Sequence, residues 1–151
     1  MKKIMTKVFL VFGVLFLTMC SANAQEVSEN AIGLRFNQGN GLGAAISYQK
    51  KITDSNRLEV NLGLRDAFNS FKGTGLYQWV WNLENKFNWY AGFGAGFDSR
   101  DSALFGAGII GVEYNFNAPI LIAIDYIPEI GITENYNSLG SSFTLAIRYQ
   151  F

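Results

Sequence analysis

The chain contains no histidine. That absence removes Ser-His and Asp-His nucleophilic arrangements and every histidine-based metal site. Cysteine is nearly absent as well: Cys20 is the only one, and it lies in an N-terminal segment with the marks of an export signal. Cleavage of that segment leaves no thiol for catalysis, disulfide formation or metal binding. Charge is sparse, at 16% of residues, whereas a soluble surface carries roughly 25–35%. After the N-terminal segment no run approaches the roughly 20 apolar residues of a membrane-spanning helix. No later segment shows a helical period either.

What is present begins with that signal. Lys2, Lys3 and Lys7 form a basic region, Val8 to Leu17 is almost unbroken apolar sequence, and Ala22-Asn23-Ala24 supplies small residues for cleavage before Gln25. Leu17-Thr18-Met19-Cys20 has the outline of a lipoprotein box, with Met19 where a small residue is expected. Residues 1–24 are read as the signal peptide and 25–151 as one domain; removing 24 of 151 residues leaves 127. Three of the twelve basic residues leave with the signal and all twelve acids stay. The mature balance of nine against twelve is a net charge of −3, which offers no basic footprint for nucleic acid.

The mature sequence alternates. Eight strand candidates lie near 30–37, 43–52, 57–66, 75–83, 86–98, 103–115, 119–128 and 139–151, separated by Gly, Asn, Asp and Ser clusters. Connections after strands two, four and six are short turns. Those after three, five and seven are longer or more polar: 67–74, 99–102 and 129–138. An even strand count puts both chain ends at the short-turn end.

One row of alternate residues is large and apolar, as in Leu58/Val60/Leu62/Leu64, Tyr77/Trp79/Trp81/Leu83 and Phe143/Leu145/Ile147/Tyr149/Phe151. The opposite row is small or polar, as in Gly43/Ala45/Ser47/Gln49 and Gly92/Gly94/Gly96. The interior of an eight-stranded barrel is just wide enough for side chains to fill. So many rings would overpack it, which assigns the apolar row to the outside. Aromatics also gather at two heights. Tyr48, Trp81, Phe87, Trp89, Tyr114, Tyr149 and Phe151 fall toward the short-turn end, and Phe36, Tyr77, Phe97, Tyr126 and Phe143 toward the other. Two such girdles are expected where hydrocarbon meets headgroups. Strand six fits least well: with Glu113 inward, Phe105 and Ile109 also point inward, unless a bulge near Gly106 or Gly108 resets the register.

The sequence closes on Phe143-Thr144-Leu145-Ala146-Ile147-Arg148-Tyr149-Gln150-Phe151. An alternating last strand ending on an aromatic, behind an export signal, resembles the final strand of a bacterial outer-membrane β-barrel. The whole mature chain resembles the small eight-stranded barrels of the OmpA/OmpX type in Gram-negative bacteria. The resemblance implies an all-β, antiparallel, up-and-down transmembrane barrel in the outer membrane, with lipid around it. It also implies that the assembly machinery reads a signal including Tyr149 and Phe151. No consecutive motif matches, so no binding residue carries over. A second, cell-wall-binding domain like that of OmpA proper is not expected. Barrel enzymes of that membrane, such as lipid A deacylases, palmitoyl transferases, phospholipases and omptin-type proteases, rely on a histidine that this chain lacks.

The inward charges are Arg35, Glu59, Arg65, Glu113, Asp125 and Arg148. Both signs occur at each depth, so lumen ion pairs are expected, with Glu59 or Glu113 as the partner of Arg148. Gly92, Gly94 and Gly96 are read as room for bulky neighbours such as Tyr90. Phe68, Phe71, Lys72 and Tyr136 are read as outer-loop residues able to touch an external partner of unknown identity. No cofactor, metal or catalytic residue is expected. The function expected is a non-catalytic membrane-integrity or surface-interaction barrel. The alternatives are a narrow channel gated by the lumen ion pairs and a soluble periplasmic ligand-binding barrel.

Overall fold

Alternation along each strand becomes a closed sheet. In the computed structural model the described residues are 27–39, 41–65, 69–134 and 139–151. The signal segment with Cys20, and also Phe68 and Tyr136, lie outside them. The strands are β1 (Asn30–Gly39), β2 (Gly41–Thr53), β3 (Asn56–Arg65), β4 (Ser70–Glu84), β5 (Phe87–Asp98), β6 (Ala103–Asn115), β7 (Ile120–Gly131) and β8 (Gly140–Gln150). Each pairs antiparallel with its sequence neighbours, and β8 pairs with β1 to close the barrel. Asn30 and Phe151 exchange backbone hydrogen bonds at the seam (3.1 and 2.9 Å). Closure satisfies the backbone without an exposed edge, the condition for a sheet to sit in hydrocarbon.

The register is staggered. A row of partners starting at Ala31 passes through Gln49, Glu59, Leu76, Gly94, Ala107 and Glu129, and reaches Gly140 at the far end of β8. A row that climbs the barrel's height in one circuit means strongly tilted strands. The short-turn end has two two-residue connections, one of them at Asn85-Lys86. Asn85 takes a left-handed backbone (φ 45°), which Asn tolerates in a tight hairpin.

The apolar rows face outward. Phe93, Ile124 and Phe143 are 63%, 57% and 65% exposed. In water, a continuous belt of such residues would be a severe liability. Aromatics cluster near the short-turn end, where Trp81 and Trp89 stack with centroids 4.3 Å apart and Phe87 meets Tyr114 at 4.7 Å. Toward the other end, Tyr126 and Phe143 pair at 5.1 Å.

Two strand readings are corrected, and the open register of strand six is resolved. β4 begins at Ser70 rather than near 75, because Gly73 and Gly75 continue the ladder opposite Leu62 and Val60 instead of turning. β7 likewise runs on to Gly131. β6 needs no bulge: its register is continuous against β5 and keeps a single phase against β7. Phe105 and Ile109 are inward and buried. Phe105 fits because its ring fills the space where a Cβ of Gly96 would stand. The lumen is therefore less uniformly polar than the alternation suggests. Leu76, Val80, Phe105, Ile109, Leu121 and Ile127 form an apolar cluster on the β4–β7 side.

A charge network across the lumen

The polar half of the lumen is built by residues of one parity on strands that closure brings face to face. Glu59, fully buried on β3, is the centre. Its Oε1 accepts from Arg35 Nη2 at 2.5 Å and Asn61 Nδ2 at 2.8 Å. Its Oε2 accepts from Gln49 Nε2 at 2.6 Å, Gln78 Nε2 at 3.0 Å and Arg148 Nη2 at 3.1 Å. Five donors from β1, β2, β3, β4 and β8 thus converge on one carboxylate.

Arg35 ties this centre to β7. Its Nη1 donates to Asp125 Oδ1 at 2.5 Å and to Thr144 Oγ1 at 2.6 Å. Thr144 in turn donates to Asp125, and Tyr90 Oη donates to Asp125 Oδ2 at 2.5 Å. Arg148 Nε also donates to Ser47 Oγ at 3.0 Å. Nearer the short-turn end, Arg57 Nη2 lies 2.7 Å from Glu113 Oε2. Arg57 Nε donates to Gln78 Oε1 at 2.7 Å, and the guanidinium sits 4.7 Å from the centroid of the Tyr90 ring. Asn88 Nδ2 donates to Glu113 at 3.2 Å.

Every strand contributes to this network. Its formal charges balance, with Arg35, Arg57 and Arg148 against Glu59, Glu113 and Asp125. Balance matters because an unpaired charge in a low-dielectric interior costs several kcal/mol, on the order of 3–5 when one partner is removed. Hydrogen bonds from neutral amides and hydroxyls occupy further lone pairs and replace part of the lost hydration.

Five of the six charges read as lumen residues therefore meet: Arg35, Glu59, Glu113, Asp125 and Arg148. Arg65 ends β3, and its side chain lies outside those described. Arg57 was missed. It stands two residues before Glu59 on the same face, and strand parity alone could have placed it inward. A second pair was also missed. Lys72 is a lumen residue of β4 rather than an outer-loop residue, and its Nζ lies 2.5 Å from Glu129 Oε2 on β7. Reading Gly73 and Gly75 as a turn hid it. Lys72 Nζ also lies 4.4 Å from the centroid of the Phe105 ring. Phe71 is likewise on β4, not in a loop; it faces outward, its ring centroid 6.0 Å from that of Phe97. Among the described residues no group of His, Cys, Asp and Glu could hold a metal ion.

No protein-family model matches the chain, and neither does any curated protein. Solved structures do. The N-terminal β-barrel domain of Pseudomonas aeruginosa OprF superposes with a TM-score of 0.70 at 11% identity, covering 84% of this chain and 100% of that one. A de novo designed transmembrane β-barrel gives 0.66 at 12% identity over 85% and 100%. Neisserial surface protein A gives 0.58 at 12% identity over 81% and 94%. At such identities the likeness is one of architecture, and this chain has the eight-stranded antiparallel transmembrane barrel fold that the small outer-membrane proteins share.

Proposed function

We propose that this protein is a non-catalytic outer-membrane barrel with a closed lumen, serving membrane integrity ahead of surface interaction. The observation that carries the reading is the wall-to-wall pairing of Arg35 with Glu59 and Asp125, which fills the section a solute would cross. The connections opposite the chain termini are one, four, four and eight residues long. Such lengths leave little chain to reach a distant partner, which favours integrity over surface contact. The exposed belt argues against a soluble carrier.

The test joins fractionation with electrophysiology. The protein should sediment with outer membranes, shift its gel mobility on boiling and leave planar bilayers without discrete conductance. Discrete channels abolished by lumen substitutions would replace this reading with the gated channel. Recovery only from the soluble periplasm would end the membrane reading.

The C-terminal strand is the proposed contact with the assembly machinery. Tyr149 and Phe151 are exposed and their ring centroids lie 6.3 Å apart, so both side chains are open to recognition. Phe151→Ala should lower the amount of folded barrel in cells while leaving refolding of purified protein into lipid unchanged. Equal loss in both settings would mean that Phe151 acts only in folding.

A further inference from the structure

The outward face of β6 and β7 carries an open-sided groove of about 270 Å³. Two rows of outward residues bound it. Trp89, Val112 and Ile124 stand side by side across β5, β6 and β7, and Ile110, Tyr126 and Phe143 across β6, β7 and β8. The floor is the main chain of Gly111 and Asp125, since the Asp125 carboxylate points the other way, to Arg35. The rows lie two residues apart along the strands, roughly 7 Å. That spacing suits one hydrocarbon chain.

The middle of the groove is low and its ends are high. Ile110, Val112 and Ile124 are short aliphatic side chains, whereas rings close the two ends. Trp89 stacks on Trp81 at 4.3 Å, and Tyr126 and Phe143 hold each other at 5.1 Å. Rings fixed by their neighbours keep the groove formed before anything enters. An occupant then loses less free energy to ordering.

The groove is continuous with the belt that meets lipid. Lipid tails are as apolar as leucine, so inside a bilayer packing selects the occupant, not hydrophobicity. A second barrel is convex and would bridge the rings without reaching the floor. A single acyl chain reaches it.

A cation lies beneath the groove. Asn115 N donates to Lys86 O at 2.9 Å, and Lys86 Nζ donates to Asn117. Both bonds hold the ammonium under the short-turn end of β6, the strand of Ile110 and Val112. It makes no ion pair among the described residues. Lys86 precedes Trp89 by three residues, roughly 10 Å of chain, a gap that the glycerol and first methylenes of a phospholipid bridge. The rings of Phe87 and Tyr114, 4.7 Å apart, stand between them, as amphipathic and aromatic side chains do at headgroup level.

We propose that this groove retains one phospholipid of the leaflet at the short-turn end. An acyl chain lies between the two rows, and the phosphate meets Lys86. The site rests on the transmembrane barrel and not on a closed lumen or an integrity role.

The test uses the mature barrel refolded in dodecyl maltoside and read by native mass spectrometry. It is titrated with palmitoyl-oleoyl phosphatidylglycerol and with the diacylglycerol of the same chains. Ile124→Trp lays a ring over the groove floor. Ile46→Trp places the same ring on β2, at an outward position that is 54% exposed. One phosphatidylglycerol per barrel, weakened at least about tenfold by Ile124→Trp and unchanged by Ile46→Trp, supports the site. Lys86→Gln should bring phosphatidylglycerol down to the level of the diacylglycerol. Each variant is checked for heat-shifted gel mobility, and Val112→Trp replaces Ile124→Trp if the latter does not fold. Lipid numbers that climb without a step at one overturn the proposal. So do equal losses in Ile124→Trp and Ile46→Trp, or equal binding of the two lipids to the wild type. A lipid-free dimer would put a second copy in the groove and overturn it as well.

Discussion

Arg57 on β3 and Glu113 on β6 are ion-paired at 2.7 Å across the lumen, with both side chains 2% exposed. Neither strand neighbours the other in the sheet, so the pair ties opposite walls of the barrel together. Arg57→Met alone should lower unfolding stability by about 3–5 kcal/mol, because it strands the Glu113 carboxylate. Adding Glu113→Leu should recover most of that loss. Denaturant titration of the single and double variants in lipid vesicles reads both values, and additive losses would contradict the pairing.

Glu59 receives Arg35 and Arg148 together. Arg148→Ala should therefore cost several kcal/mol, on the order of 3–5. The surface comparison is Asp54, 92% exposed beside Lys51, and Asp54→Ala should cost less than about 1 kcal/mol. Similar unfolding midpoints for the two variants would remove Glu59–Arg148 from the stability argument.

The outward face has its own signature. Leu62 stands among the outward residues of β3 at 47% exposure. Leu62→Arg should cost about 2–4 kcal/mol in a bilayer, whereas Ile52→Arg at the short-turn end of β2 should cost about 0–1. That gradient should appear in vesicles of ordinary thickness. Equal costs at the two depths would mean that the belt is not centred as the strand ends imply.

Gly96 faces the Phe105 ring, which fills the space of its absent Cβ. Gly96→Val should destabilise by roughly 1–3 kcal/mol through overpacking. The temperature at which gel mobility shifts should fall. An unchanged temperature would show that Phe105 swings aside at no cost.

Much of this was legible from alternation, because period two is a property of adjacent residues. Rows such as Leu58/Val60/Leu62/Leu64 declare their face without knowledge of the partner strands. Parity extended to Phe105 and Ile109 as well, so of the two registers open for strand six the one without a bulge holds. The glycine that makes room for Phe105, Gly96, lies on β5, so that fit could not be seen in β6 itself. Gly73 and Gly75 misled for a different reason. Glycine marks turns in most local contexts, yet here it occupies outward positions in a strand held by ladders on both sides.

Strand count, the direction each face takes and the even-numbered plan all follow from local periodicity and turn chemistry, and so from neighbouring residues alone. Which charges meet depends instead on how the strands close. Arg35 and Asp125 are 90 positions apart, and nothing in the spacing of either announces the other. Closure of β8 onto β1 and the steep stagger of the strands bring them to one depth. There the cost of burying charge in a low dielectric selects the partner.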